Sequence, residues 1–202
     1  MKLKAVVIFI IFCFCGTTLS MATNRFVGAS KCKSCHKKEK VGAQYVIWSK
    51  GKHVKAFDTL GTPKAIALAK KIGINTAPQK EKACLICHVK SQYDENGKEH
   101  PATLYLKKYK ISDGVQCEDC HGSGRKYAML KTMKKITYKE GGAAKSVTAK
   151  NTGLLFPDEN TCKQCHVAEI KMGGVVYKNP SFKDFDFSKR IQEIQHPIPR
   201  KQ

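Results

Sequence analysis

The sequence is poor in long hydrophobic runs, in acidic residues and in arginine. Only residues 5–15 form a continuous apolar run, which excludes a protein with several membrane spans. Lys and Arg number 37 against 16 Asp and Glu, a formal net charge of +21. Because only four of those cations are Arg, the charge favours docking to an acidic protein over bidentate recognition of phosphate. We therefore expect no binding to nucleic acid.

Sustained alternation of apolar and polar residues, the pattern of β-strands, is also missing. The 202 residues are 42% hydrophobic, which suffices for a packed core and excludes wholesale disorder. One helix has clear local signals. Thr62 and Pro63 are its expected N-cap and first residue, and Gly73 is its expected stop.

Two segments of the second half of the chain have weaker signals. Residues 181–196 form an amphipathic stretch, for which Ser181 and Asp184 are the expected capping pair. The polar, glycine-bearing segment 139–153 predicts an exposed loop. Four apolar residues of the amphipathic stretch are expected to pack on haem in the core rather than form a binding surface: Phe182, Phe185, Ile191 and Ile194.

The N-terminus has the organisation of a secretory signal peptide. A positive n-region with Lys2 and Lys4 precedes the apolar run, and Ser20–Ala22 fits a small-x-small cleavage site. An uncleaved anchor is disfavoured because the run is shorter than the roughly 20 residues of a spanning helix. A lipid anchor on Cys15 is disfavoured because a small residue does not precede it. We predict a signal peptide, 1–22, cut after Ala22, and one domain, 23–202, exported to the periplasm or beyond without a membrane span.

Every cysteine that remains after this cut belongs to one pattern, Cys-x-x-Cys-His, which occurs four times. The copies are motif 1 (Cys32, Cys35, His36), motif 2 (Cys84, Cys87, His88), motif 3 (Cys117, Cys120, His121) and motif 4 (Cys162, Cys165, His166). This is the attachment sequence of c-type haem: two thiols add to the vinyl groups, and the histidine is the proximal iron ligand. Disulfides or zinc knuckles explain paired cysteines, but not the histidine after each pair.

Four covalently bound haem c groups in one domain of this size determine the predicted fold. The chain is too short to wrap each macrocycle separately, so the haems must pack on one another and form the core. We predict a mostly α, compact multihaem cytochrome c fold, with short helices and long loops around four stacked haems and little or no sheet. Each motif is expected to open or lie in a short helix.

The number of histidines limits how four irons are ligated. The chain has seven, of which four are the proximal ligands of the motifs. His53, His100 and His196 remain as candidate distal ligands, one fewer than four bis-histidine haems require. The remaining haem is open to small molecules, takes a methionine, or borrows a histidine from a neighbouring subunit in an oligomer. The candidate methionines are Met129, Met133 and Met172.

The residues around the motifs resemble the tetrahaem cytochrome c-554 family of multihaem c-type cytochromes, known from electron transfer in nitrogen-oxidising bacteria. The similarity covers most of the chain after residue 22. It rests on Phe26–Gly28, on Trp48 ahead of His53, on 114–125 (GVQCEDCHGSGR), on 156–166 (FPDENTCKQCH) and on a late His196. The resemblance implies a mostly helical haem protein with stacked and near-perpendicular haem pairs. It also implies distal ligands at His53 and His196 and a five-coordinate haem on His88.

The chain departs from this family at one position. The family carries a distal histidine for the first haem shortly after the third motif. This chain has Lys131 there, between Met129 and Met133. Either His100 or a methionine replaces that ligand, or the first haem is open as well.

Electron transfer is the function that these features favour. Axial histidines give iron that passes single electrons without substrate chemistry, and close-packed haems form a short wire. We expect an electron carrier rather than an enzyme, with acidic redox proteins as partners. Two alternatives stay open. One is reduction of nitric oxide, nitrite, hydroxylamine or peroxide at an open iron, first of all the one on His88. The other is an extracellular haem filament joined by histidines shared between subunits.

Overall fold

The computed structural model describes residues 24–136 and 151–196. The predicted signal peptide and its cut after Ala22 lie outside these residues, as does most of the predicted loop 139–153. Within the last part of that loop, residues 151 and 152 are helical and Gly153 is a turn residue with a φ of 73°. In the described ranges no helix is long and apolar enough to cross a membrane.

Short helices dominate these two ranges. The α-helices described there are α1 (Ala29–His36), α2 (Gln44–Lys50), α3 (Ala56–Thr59), α4 (Pro63–Lys71), α5 (Lys82–His88), α6 (Cys117–His121), α7 (Leu130–Met133), α8 (Glu159–Lys163) and α9 (Phe187–Ile194). Short 3-10 turns cover Glu39–Val41, His53–Lys55, Pro78–Lys80, Lys90–Gln92, Ala102–Leu104 and Ile111–Asp113. The sheet is a two-stranded antiparallel hairpin of β1 (Glu169–Met172) and β2 (Val175–Lys178), with Glu169 opposite Lys178. The prediction of a mostly helical protein with little sheet is confirmed.

The helix predicted from Thr62 onward is confirmed as α4. Pro63 is its first residue, and the Thr62 hydroxyl accepts a hydrogen bond from the Ala65 amide at 3.3 Å. Pro63 has no amide hydrogen to leave unpaired, and its fixed φ suits the first turn. The helix ends at Lys71, and Gly73 follows with a φ of 85°, a conformation that glycine adopts readily.

The predicted capping pair of the last helix is wrong. Helix α9 begins at Phe187, and its N-cap is Asp186, whose carboxylate accepts a hydrogen bond from the Lys189 amide at 3.3 Å. Ser181 instead belongs to a turn in which its amide donates to the Asn179 side chain at 3.1 Å. Phe182, which follows this turn residue, is 37% exposed, and its predicted packing on haem stays a prediction. Phe185, Ile191 and Ile194 are partly buried, as the amphipathic pattern predicted.

The larger apolar cluster lies behind α5. Leu85 and Ile86 of that helix pack with Leu60, Val89 and Tyr93. Burial of each large aliphatic side chain contributes about 1.5–3 kcal/mol, so this face anchors α5 firmly. The cysteines of motif 2 lie at the edge of the cluster and stay accessible. A smaller cluster holds Tyr127 and Ile136, with Met133, Leu154 and Phe156 packed against it.

Candidate haem sites

The helices present the thiols and the imidazole of each motif on one side. Motifs 1, 2 and 3 lie entirely within α1, α5 and α6, where positions i, i+3 and i+4 share a face. Motif 4 begins in the last turn of α8 and runs past its end. There the amides of Cys165 and His166 donate to the Cys162 carbonyl at 3.1 and 2.9 Å, which continues the turn. The prediction of a short helix at each motif is therefore confirmed for three motifs and holds for the start of the fourth.

The motifs approach one another in two pairs. The Cys32 thiol of motif 1 interacts with the Cys117 thiol of motif 3, and this hydrogen bond lowers the pKa of Cys32. The Cys87 thiol of motif 2 interacts in the same way with Cys165 of motif 4. All eight motif cysteines are free. Motif 1 therefore lies beside motif 3, and motif 2 beside motif 4.

Three proximal histidines are oriented by a hydrogen bond from the Nδ1 atom. His36 donates to the side-chain oxygen of Gln44 at 3.0 Å. His88 donates to the Ala56 carbonyl at 2.6 Å, and His121 donates to the Leu155 carbonyl at 2.9 Å. A proton on Nδ1 leaves the lone pair of Nε2 available, which is the form and orientation of an imidazole that binds a metal.

The fourth proximal histidine is held by an aromatic contact. The His166 ring stacks on Phe185, with centroids 4.7 Å apart and planes 20° from parallel. Burial lowers the pKa of His166, and it also lowers the pKa of His53 and of His121. A lowered pKa keeps each ring neutral at ordinary pH, and the neutral ring is the ligand form.

Two of the three candidate distal histidines face a proximal one. The rings of His53 and His166 have centroids 6.0 Å apart, and those of His121 and His196 have centroids 5.9 Å apart. An imidazole nitrogen binds a metal at about 2 Å and lies about 1 Å from its ring centroid, so two rings on opposite sides of one iron are about 6 Å apart. Both pairs therefore have the separation that one shared iron requires.

The other candidate ligands lie in different surroundings. The His100 ring contacts Phe26, with centroids 5.7 Å apart. Met129 is 51% exposed, Met133 packs against the Tyr127 cluster, and Met172 packs against the cluster behind α5. Within residues 24–136 and 151–196, neither His36 nor His88 has a ring contact with a second histidine.

A buried carboxylate ties motif 3 to the chain that leads into motif 1. Glu118 accepts hydrogen bonds from the amides of Val27 at 2.9 Å, Gly28 at 2.7 Å and Gly124 at 2.6 Å. Its side chain is almost fully buried, and burial raises its pKa while these amides lower it. Gly28 is needed here because a Cβ would lie 2.5 Å from the Lys108 carbonyl.

Two neighbours of Glu118 extend this polar framework. The Gln116 side chain accepts from the Ala29 amide at 2.9 Å, at the start of α1. The partly buried Asp119 carboxylate accepts from the amides of Gln116 and Ser91. These side chains had no predicted role, although acidic residues between the two cysteines of motif 3 were a visible signal.

The segments that carried the resemblance meet at His53. The Trp48 indole donates to the Val115 carbonyl at 2.8 Å, and the Val115 amide donates to the His53 carbonyl at 3.0 Å. Gly114 allows this approach, since a Cβ there would lie 2.6 Å from the His53 carbonyl oxygen. The start of the 114–125 segment therefore positions the candidate distal ligand His53 as well as motif 3.

Comparison with known proteins agrees with this geometry. Helices that present two thiols and one oriented imidazole define the class of c-type cytochromes. The family model for cytochrome c554 and c-prime matches residues 31–122, which include motifs 1 to 3. Cytochrome c-554 of Nitrosomonas europaea is 30% identical over 152 residues, covering 70% of this chain and 57% of that relative. The chain thus spans less than two thirds of the length of the relative. No solved structure matches the chain.

The chain is therefore similar to the cytochrome c-554 family, through the family model over motifs 1 to 3 and through the relative of that name. This similarity implies covalently bound haem c, and the motif residues fit such a group. The fit rests on the free thiols at each motif, on the Nδ1–H hydrogen bonds that orient His36, His88 and His121, and on the two histidine pairs at the separation of a shared iron.

Proposed function

We propose that this protein is an exported tetrahaem c-type cytochrome that carries single electrons between redox partners in the periplasm. The observation that carries the proposal is the pair of histidine contacts at 6.0 and 5.9 Å. Iron held by two axial histidines changes its charge without exchanging a ligand, which suits electron transfer rather than substrate chemistry. The adjacency of motifs 1 and 3, and of motifs 2 and 4, supports short distances between the groups.

Each motif would hold one haem through its two thiols and its histidine. In this assignment His53 is the distal ligand for motif 4 and His196 is the distal ligand for motif 3. The haem supplies the one-electron chemistry. The chain's own residues orient the imidazoles, through Gln44 and two backbone carbonyls, and exclude water from the buried Glu118 carboxylate of motif 3.

Lysines around motif 1 supply a docking face for an acidic redox protein. Five of the ten residues from 31 to 40 are lysines, against one acidic residue, Glu39. All five lysines are exposed, as is Cys35 of the motif. We define the motif 1 face as Lys31, Lys33, Lys37, Lys38 and Lys40. A one-sign patch at a haem edge raises the encounter rate with an anionic partner, and salt screens that effect.

The test starts with the holoprotein. Mass spectrometry and a haem count by the pyridine haemochrome assay should give four haems per chain, attached at the motif cysteines. A count below four, or haems that do not undergo reversible one-electron reduction, would overturn the proposal.

Docking is tested by the oxidation rate of the reduced protein by the anion hexacyanoferrate(III). Replacement of Lys31, Lys37 and Lys38 by Gln should slow the rate several-fold at low ionic strength, and salt should remove the difference. The matched control replaces Lys64, Lys70 and Lys71, which are equally exposed and lie in α4, a helix that carries no motif. Equal slowing by both triple variants would mean that net charge, not the motif 1 face, attracts the oxidant.

A second function, small-molecule reduction at an open iron, is favoured by one observation. His88 is oriented by Ala56 like an axial ligand, yet no histidine ring in the described residues faces it. An iron with a free position binds ligands such as nitric oxide, and the other haems could deliver electrons to it. Addition of nitric oxide should change the spectrum of the reduced protein; an unchanged spectrum would exclude this second function.

A further inference from the structure

We propose that the iron on His36 is open as well, so that this chain offers two binding sites for small ligands, at motifs 1 and 2. The inference rests on the proposed tetrahaem function. It differs from what the family resemblance implies, which is a single five-coordinate haem on His88. It follows from the way in which the fold distributes the seven histidines.

Every histidine of the chain can be accounted for. All seven lie in the described residues, and four are proximal ligands. His53 faces His166 and His196 faces His121, at 6.0 and 5.9 Å. Each of these distal rings is therefore engaged with one iron. Only His100 is left for two proximal histidines, His36 and His88.

His100 lies at the wrong end of α1 to share an iron with His36. Its ring contacts Phe26, which precedes α1 and stacks on Tyr105 at 5.6 Å. His36 is the last residue of this helix, whose eight residues rise about 10 Å. The His36 ring is instead fixed beside Gln44, which begins α2.

The methionines are engaged elsewhere or face the solvent. Met133 packs with Tyr127 and Ile136, and Met172 packs behind α5, where its sulfur lies 2.9 Å from the Cβ position of Gly97. Met129 is 51% exposed, and Lys131 is exposed too. Residues 137–150 and 197–202 contain no histidine or methionine, and the predicted cut after Ala22 removes Met1 and Met21. Within the described ranges, no ring contact joins a second histidine to His36, and Met133 and Met172 pack in clusters that do not include it.

The surroundings of His36 indicate the kind of ligand. The motif 1 face places its lysines within five residues of His36, on exposed positions. A positive field raises the local concentration of anions. The site therefore suits small anionic ligands of iron, with azide and cyanide as probes.

The two open irons can be told apart by their proximal hydrogen bonds. His36 donates to a side chain, Gln44, whereas His88 donates to the backbone carbonyl of Ala56. A substitution at Gln44 therefore alters the iron–histidine bond at motif 1 and leaves that at motif 2 unchanged. Only a five-coordinate ferrous haem shows an iron–histidine stretch in resonance Raman spectra.

The experiment measures two numbers for the four-haem holoprotein: the high-spin irons per chain and the ligands bound per chain. Electron paramagnetic resonance of the oxidised protein should give two high-spin irons per chain, and cyanide should bind with two equivalents. Gln44→Leu should shift one of two iron–histidine bands of the reduced protein, whereas Gln79→Leu, which removes a bond to the Phe57 carbonyl, should shift neither. One high-spin iron, or a Gln44→Leu spectrum without a shift, would overturn the inference.

Distal variants check the assignment independently. His53→Ala and His196→Ala should each raise the high-spin count from two to three, whereas His100→Ala should leave it at two. A rise with His100→Ala would make His100 a ligand and overturn the inference. A haem count below four would instead fail the proposed function itself, so the two failures are distinguishable.

Discussion

The two described parts of the chain are built in different ways. Residues 24–136, the N-terminal part, hold every buried apolar or polar side chain of the described protein, from Val27 to Ile136. Residues 151–196, the C-terminal part, hold none, and Leu155, Val175 and Val176 are each more than half exposed. The N-terminal part thus supplies the buried core. The C-terminal part packs only at the edges of that core, through Leu154 and Phe156 on one cluster and Met172 and Tyr177 on the other.

The histidine pairs provide a further connection between the C-terminal part and the N-terminal part. Each pair joins the two parts: His53 to His166, and His121 to His196. Direct hydrogen bonds between the described parts include a reciprocal pair, in which the Leu155 amide donates to the His121 carbonyl while the His121 ring donates to the Leu155 carbonyl. In the proposed holoprotein, haem iron therefore connects the C-terminal part to the core. Cofactors take the place that disulfides have in small exported domains.

The prediction with the largest expected effect concerns the loss of that connection. Replacement of both Cys162 and Cys165 by Ala removes covalent attachment at motif 4 and, with it, the anchor of His166. Hydrogen exchange of the amides in α8 and α9 should accelerate on the order of 100-fold, equivalent to about 3 kcal/mol of local stability. Amides of α5 should keep most of their protection, since its apolar face is buried mainly against Leu60, Val89 and Tyr93 of the N-terminal part.

The control for this experiment removes attachment at motif 2 by replacing Cys84 and Cys87 with Ala. Because α5 packs on Leu60, Val89 and Tyr93, that helix should lose much less protection than α8 does. Equal losses in the two variants would contradict the difference drawn between the two parts of the chain.

The second prediction concerns the polar framework of the N-terminal part. Glu118→Gln places an amide group against three backbone amides that need an acceptor. The free energy of unfolding of the holoprotein should fall by about 2 kcal/mol, because buried donors lose their partners. Denaturant titration followed by circular dichroism measures this loss. The matched variant Glu39→Gln changes an exposed residue and should cost under about 0.5 kcal/mol.

Sequence signals predicted the local features of this fold and missed the distant ones. Helix α4 was predicted correctly because its cap, its first residue and its stop lie within twelve positions. The role of Glu118 was not predicted, because its partner Val27 is 91 positions away and only the folded chain brings the two together. The predicted cap of α9 was wrong because Ser181 and Asp184 fit a capping pair by spacing alone, whereas Ser181 lies in a turn with Asn179 and the helix begins only after Asp186.

The candidate site shows the same difference between local features, which the sequence predicted, and distant contacts, which it did not. The four motifs were visible in the sequence because each is complete within five residues. Which histidine faces which motif depends on packing between distant segments, so the sequence supplied only the list of candidates. The hairpin was a missed local signal: Gly173 and Gly174, with φ of 57° and 78°, form the two-residue turn that such a pair favours.

The third prediction concerns Gly114 of the N-terminal part, which positions His53 beside His166 of the C-terminal part. Gly114→Ala would place a Cβ 2.6 Å from the His53 carbonyl at a φ of 62°. Gly73→Ala is the matched control, since its φ of 85° carries similar strain with nothing within 4 Å. Gly114→Ala should destabilise the protein by about 1 kcal/mol more than Gly73→Ala. It should also raise the high-spin fraction in electron paramagnetic resonance, because His53 moves away from its iron.

The smallest expected effect lies in the C-terminal part, where aromatic contact replaces a hydrogen bond to the proximal imidazole. Phe185→Leu removes the ring that stacks on His166 at 4.7 Å and should cost about 1 kcal/mol of stability, the usual worth of such a contact. The looser ring should also broaden the low-spin signal of the iron at motif 4. Phe182→Leu is the matched control, because this nearby ring is 37% exposed and should change neither quantity. If Phe182→Leu has the larger effect, the C-terminal part is held by its surface contacts rather than around His166.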